Sequence, residues 1–225
     1  MRSLKNFNLL IFNMERDIKV NEIKCIKKIK GDFEELKNLI YLKPSVTLIF
    51  GPRNSGKTAL GLNLLETSAV KNGKETWVIQ YKKPFPSWIK QKPFIEHVPR
   101  DTNCFCDESW LTLSTLTSST IKKQQLFNGI ITTALQNSLN FKLVVQHTYM
   151  ISPTATRCVD VIFIKEPNIF QSDERPHLKE YFKKAKINFM KMTEKEKKEY
   201  SYVVSDLFEG IIKNDLPSFW NECIH

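Results

Sequence analysis

Ser45-Val46-Thr47-Leu48-Ile49-Phe50 runs directly into Gly51-Pro52-Arg53-Asn54-Ser55-Gly56-Lys57-Thr58. The first six residues are a compact apolar run ending at a glycine, the form of a strand buried on both faces of a parallel sheet. The next eight match G-x-x-x-x-G-K-[ST] at every defined position. Binding a polyanion requires this spacing. Backbone N–H groups must wrap the phosphates, and glycines let the backbone come close. A helix opening at Thr58 points the positive end of its dipole at the same anion. Lys57 brings a point charge to the β and γ phosphates, and the Thr58 hydroxyl is placed to ligate Mg²⁺. The preceding strand and following helix distinguish a nucleotide site from a chance Gly-Lys turn.

Working outward, residues 58–70 show helical periodicity through Leu60, Leu64 and Leu65, and Asn72-Gly73 stops it. Residues 76–81 predict a second strand, and Pro84, Pro86, Pro93 and Pro99 mark a loop-rich excursion. Residues 102–106 predict a short strand, 121–139 a long helix, and 141–146 and 159–165 two further apolar strands. Strands alternating with helices imply an α/β fold, with a mostly parallel central sheet flanked by helices. The reading is a single domain over 1–225, with a core at 44–166 and extensions at 1–43 and 167–225. In the first extension, runs 7–12 and 22–29 predict edge strands and 32–42 a short amphipathic helix. In the second, 178–186 predicts a basic helix and Thr193 with Glu196 a capping box. Residues 200–205 and 209–213 predict a terminal pair of strands.

Two strand ends carry chemistry. Asn103-Cys104-Phe105-Cys106 closes on Asp107-Glu108. At the carboxyl end of a parallel strand beside the loop, Asp107 can hold the Mg²⁺ water shell. Glu108 is then placed to orient and polarise the attacking water. Asp-Glu pairs are common on surfaces, so the coupling to the loop gives this pair its meaning. The strand ending at Gln146 places an amide where it could contact the γ-phosphate; the plain alternative is an ordinary strand-end glutamine. His147 reads as a packed or surface histidine. Cys104 and Cys106 flank Phe105 and should face one side as small core residues.

The chain carries 34 Lys+Arg against 24 Asp+Glu, a formal net charge of +10. That balance suggests an anionic partner, although a Lys-, Ile-, Asn- and Phe-rich composition can also follow an AT-rich genome. Arginine occurs only at Arg2, Arg16, Arg53, Arg100, Arg157 and Arg175. The five cysteines are odd in number and include no CxxC pair, which argues against a disulfide framework or a zinc site. No apolar run reaches the roughly 18 to 20 residues of a membrane helix. The patch Leu9 to Phe12 is too short for a signal sequence, so the chain reads as cytoplasmic.

GPRNSGKT at 51–58, CFCDE at 104–108, the helix 121–139 and LVVQHT at 143–148 together resemble the P-loop NTPases with an additional strand and a catalytic glutamate. Within that group the chain is most similar to the FtsK/HerA-like translocases: bacterial chromosome pumps, archaeal helicases and, closest, viral genome-packaging ATPases. Residues 157–164 resemble the strand closing that core, and YVVSD at 202–206 with LPSFW at 216–220 loosely resembles tails of small packaging ATPases. The resemblance implies a loop strand set between two others, with ATP and Mg²⁺ as ligands. It implies ATP hydrolysis at the subunit interfaces of a pentameric or hexameric ring, coupled to pumping double-stranded DNA through the pore. A capsid or membrane-vertex protein is the implied docking partner, in the host cytoplasm or the virion. It also implies an arginine finger from a neighbouring subunit, worth about 10³ to 10⁵ in rate in comparable NTPases. Arg157 is the favoured candidate, then Arg100 and Arg175, with Lys122 or Lys123 as substitutes.

A small GTPase is disfavoured by the lack of an N/TKxD motif, and an ABC-type ATPase by the lack of an LSGGQ-like stretch. A small-molecule kinase would need an Arg-rich lid. A non-hydrolysing nucleotide-binding module fits poorly with Lys57, Thr58, Asp107, Glu108 and Gln146 occurring together. Another DNA-linked ATPase, of helicase or chromosome-pump type, is the nearest alternative. Non-specific DNA contact would fall to lysines acting as point charges on phosphates. The candidates are Lys24, Lys27, Lys28 and Lys30, Lys82 and Lys83, Lys122 and Lys123, and Lys183, Lys184 and Lys186.

Overall fold

Every residue of β2 (Ser45–Phe50) is buried, because the strand lies inside the sheet with apolar cover on both faces. The computed structural model describes residues 20–79, 81, 84–92, 98–107, 125, 128–146, 151–167 and 176–223. Nine described strands form one sheet: β1 (Lys24–Gly31), β2, β3 (Thr76–Ile79), β4 (Ile89–Lys92), β5 (Asn103–Cys106), β6 (Asn140–Val145), β7 (Val161–Ile164), β8 (Tyr200–Ser205) and β9 (Phe208–Lys213). Their spatial order is β1-β9-β8-β7-β2-β6-β5-β3-β4.

The run from β7 to β4 is parallel throughout, and β8, β9 and β1 join it antiparallel. The α/β class therefore holds, but the sheet is mixed rather than mostly parallel. The connections explain this. Only Asp206 and Leu207 separate β8 from β9, and so short a link can make only a hairpin. β2 lies between β6 and β7, and β6 separates it from β5.

Side chains alternate between two cores. Val46, Leu48, Phe50, Cys104, Cys106, Phe141, Leu143 and Val145 face one side. Ile49, Phe105 and Val144 face the other, where α2 (Lys57–Asn72) packs with Leu60, Leu64 and Leu65. The strict period of two puts both cysteines of β5 on one face, as expected. Gly61 lets α2 sit close to the sheet: a Cβ there would meet Phe105 Cε2 at 2.3 Å. The face of Val46, Leu48 and Phe50 is covered in part by α4 (Pro176–Phe189), through Leu178, Phe182, Ala185 and Phe189.

Local signals account for most helix ends. The Asp32 side chain accepts from Glu34 N at 2.7 Å and Glu35 N at 3.2 Å, starting α1 (Phe33–Leu42). Gly73, at φ 65°, ends α2. The Thr193–Glu196 capping box opens α5 (Glu194–Glu199). Elsewhere the structure differs from expectation. Residues 128–133 are helical, but 134–138 turn instead of continuing the helix to Leu139. Ser138 takes φ 55°, and Leu139 N donates to Ala134 O at 2.9 Å, so the chain reverses straight into β6. The proline-rich excursion contains β4, and Ser152 caps the short helix α3 (Pro153–Arg157). The expected strand at 7–12 lies outside the described residues. Among the described residues, no helix is long and apolar enough to cross a membrane.

Candidate active site

The parallel register delivers the loop and its neighbours to one edge. Phe50 pairs with Val145 on β6 and with Ile164 on β7. Gly51, Gln146 and Lys165 therefore leave the sheet side by side at the carboxyl ends of their strands. Cys106 pairs with Leu143, which brings Asp107 to the same edge beyond β6. Ligands of open α/β sheets bind at this edge.

The Thr58 hydroxyl donates to Asp107 Oδ2 at 2.8 Å. This bond ties the first turn of α2 to the end of β5. Lys57 is buried, and its Nζ donates to Pro52 O at 2.5 Å, folding the ammonium across its own loop. Asn54 and Gly56 adopt left-handed φ values of 62° and 84°. At Gly56 the crowding is as severe as the backbone geometry. A Cβ there would lie 2.5 Å from Lys198 O. Ser55 Oγ is buried and has no hydrogen-bond partner among the described residues. A backbone cradle that side chains would fill, an orphan hydroxyl aimed into the loop and a hydroxyl–carboxylate pair beside it fit a phosphate chain with its divalent cation. Thr58 and Asp107 are the residues that would hold Mg²⁺.

The loop forms one wall of a cleft of about 650 Å³. The opposite wall comes from the far end of the chain: Lys198, Glu199, Asn214, Asp215, Leu216 and Trp220. Lys165 joins the walls. Its ammonium donates to Lys198 O at 2.9 Å, Tyr200 O at 3.0 Å and Asn214 Oδ1 at 3.0 Å. Full burial pushes its pKa down to about 7, and the nearby Lys57 charge adds to the effect. A second link starts on α2 itself. Ser218 N donates to Glu66 Oε2 at 2.9 Å, and the Ser218 hydroxyl donates to Glu66 Oε1. Burial raises the Glu66 pKa while these bonds oppose the rise.

The structure thus brings together Gly51 through Thr58, Asp107 and Gln146. Glu108, His147 and Arg175 lie outside the described residues, as do Lys82, Lys83, Lys122 and Lys123. Arg53 is exposed on the loop. Arg157 and Arg100 are exposed and precede β7 and β5, at the opposite edge of the sheet from the loop. There Arg157 lines a separate hollow of about 440 Å³ with Asp160 and Asp206. Two of the lysine groups converge. Lys30 and Lys184 both pair with the buried Glu209, at 3.4 and 3.1 Å, and Lys27 Nζ donates to Asn188 Oδ1 at 3.2 Å.

Lys165 and Glu66 carry no functional reading in the sequence, and 216–220 carries only the loose tail resemblance, with no role in the site. For Lys165 a signal exists: it is the first polar residue after an apolar strand, the same cue that marks Asp107 and Gln146.

No protein-family model matches the sequence, and no curated protein matches it. Solved structures do match in shape. The DNA-packaging ATPase B204 of Sulfolobus turreted icosahedral virus superposes with a TM-score of 0.51 at 11% identity, covering 76% of this chain and 98% of that one. The pCW3 conjugation coupling protein TcpA, bound to ATPγS, gives 0.55 at 11% identity over 93% of this chain and 71% of that one. EssC ATPases 2 and 3 of Geobacillus thermodenitrificans give 0.51 at 11% identity, over 78% and 40%. The likeness is one of fold: this chain shares the fold of B204, TcpA and the EssC ATPases.

Proposed function

We propose that this P-loop fold works as an Mg²⁺-dependent ATPase coupled to movement of double-stranded DNA, in the manner of a viral genome-packaging motor. The observation that carries the ATPase reading is the Thr58–Asp107 bond, which joins the loop helix to the end of β5 across the carboxyl edge of the sheet. Loop N–H groups and the start of α2 hold the phosphates, and Lys57 adds a charge at the β and γ positions. Thr58 and Asp107 would hold Mg²⁺, which would supply positive charge beside the phosphates. Gln146, beside Gly51 in register, reports on the γ-phosphate. Glu108, next along the chain from Asp107, orients and polarises the attacking water.

The DNA-linked part rests on the likeness in fold to B204 and on the convergence of Lys27, Lys30 and Lys184 on one side of the sheet. Lysines grip phosphates without reading bases, which suits a motor that must pass any sequence. Arg157 and Arg100 lie away from their own loop, so either would serve as a finger only in a neighbouring copy's site. Ring assembly supplies that copy. The test is ATP hydrolysis with and without double-stranded DNA, alongside the mass of the assembly with ATP. Stimulation by DNA together with a ring-sized mass is expected. DNA-independent hydrolysis by a monomer would overturn the motor reading.

A further inference from the structure

We propose that residues 214–220, the far wall of the cleft, form the nucleobase site, which takes the base through Leu216 and Trp220 by apolar contact and stacking and discriminates little between adenine and guanine. The inference rests on the nucleotide reading of the loop and adds the substrate preference of that site.

Three observations lead to it. The first is geometry. The cleft of about 650 Å³ has the phosphate loop on one side and Leu216 and Trp220 on the other, and its size suits a mononucleotide. With phosphates in the loop, the base has this wall to lie against. The second is the chemistry of the wall. Leu216 leaves 49% of its surface in water and Trp220 is only half-buried, so two apolar faces are presented to the cleft. The neighbouring polar side chains are engaged with other residues. Asn214 Oδ1 accepts from Lys165, and its Nδ2 donates to Asp215 O at 3.4 Å. The Asp215 carboxylate pairs with Lys24 at 3.0 Å, and Glu199 pairs with Lys213 at 3.1 Å. Apolar surface is thus on offer where hydrogen-bonding side chains are committed. Stacking tolerates any base, because every base has a π-face.

The third is rigidity. Phe219 is buried and meets Phe85 and Trp88 edge-on, with ring centroids 5.9 and 5.8 Å away. Ser218 is bonded through both its N–H and its hydroxyl to Glu66 on α2, the helix that opens at Lys57. Wall and loop are therefore mounted on one element, and the distance between base site and phosphate site is preset.

The test is calorimetric titration of the whole chain with ATP, GTP and inorganic tripolyphosphate, each with Mg²⁺, for wild type, Trp220→Ala, Trp220→Phe and Leu216→Ser. ATP and GTP should bind within about threefold of each other, and both about 10- to 100-fold tighter than tripolyphosphate. Trp220→Ala and Leu216→Ser should weaken ATP toward tripolyphosphate and leave tripolyphosphate unchanged, while Trp220→Phe restores ATP. Leu216 is exposed, so its variant tests the wall without threatening the fold. Unchanged ATP affinity in both Trp220→Ala and Leu216→Ser would overturn the base site while leaving the loop reading intact. A preference for ATP over GTP beyond about 100-fold would overturn recognition by stacking. Failure of wild type to bind either ATP or tripolyphosphate would sink the nucleotide reading, and this one with it.

Discussion

Thr58 and Asp107 belong to different elements, yet the hydroxyl of one donates to the carboxylate of the other at 2.8 Å. On the proposed reading, this pair is the cation site. Thr58→Ala should therefore raise the Mg²⁺ concentration for half-maximal hydrolysis by about 10- to 100-fold. Thr58→Ser keeps the hydroxyl and should stay near wild type. A magnesium titration of hydrolysis rate reads both, and an unchanged midpoint in Thr58→Ala would remove Thr58 from the cation site.

Lys57→Ala and Glu108→Gln should fail at different steps. The first removes the loop charge and should abolish nucleotide binding or turnover. The second keeps shape but loses the base, so it should bind ATP and hydrolyse it poorly. Equilibrium binding beside steady-state turnover separates the two. Wild-type turnover in Glu108→Gln would remove Glu108 from the reaction.

Much of this arrangement is legible in the sequence, because it follows local rules. An apolar run of period two predicts that Cys104 and Cys106 share a face and that Asp107 ends the strand. Other parts are not legible, for definite reasons. β4 reads Ile-Lys-Gln-Lys and carries no apolar alternation. It survives as a strand because it is an edge, paired only with β3 among the described strands. The three acceptors of Lys165 come from positions 198, 200 and 214, and no local pattern announces contacts so distant. The turn at 134–138 depends on Ser138 in the left-handed region, which serine adopts rarely.

Stability should depend on pH through Lys142. It is fully buried on β6, and burial lowers its pKa from 10.5 to about 7. Its ammonium donates to Asn140 Oδ1 at 2.5 Å. Between about 7 and 10.5 the unfolded chain holds this proton and the folded chain does not. Stability from this group therefore rises with pH across that window and falls as pH drops through it. Lys142→Met removes the titration. The melting temperature of wild type minus that of Lys142→Met should climb from pH 7 to pH 10, and a flat or falling difference would refute the lowered pKa.

Gly61→Ala should destabilise the fold by about 1–3 kcal/mol, since the added methyl is driven into the Phe105 ring at 2.3 Å. Phe105→Leu in the same chain should recover part of the loss, because the two side chains contend for one space. Denaturant midpoints of the single and double variants give the coupling; strict additivity would mean that α2 simply shifts.

DNA affinity should fall as salt rises, with a log–log slope of about −0.9 per phosphate neutralised. Lys27→Ala and Lys30→Ala on β1 should each reduce the magnitude of that slope by about 1 and weaken all sequences alike. Titrations at several salt concentrations on two unrelated duplexes test both points. A slope unaffected by either change would move the grip elsewhere.

The placement of β1 also governs the order of assembly. Its register runs from Lys24 against Lys213 to Gly31 against Phe208, so the first described strand pairs with the last. A ribosome makes β1 before β2 to β8, and its template strand β9 follows only after them. Until then this strand travels as an unpaired edge. Its four lysines, interspersed with Cys25, Ile26 and Ile29, oppose like-charged edges and so discourage pairing with another nascent copy. The basic strand is thus a safeguard during synthesis as well as a surface of the finished protein, and closing it is the slow, long-range step of folding.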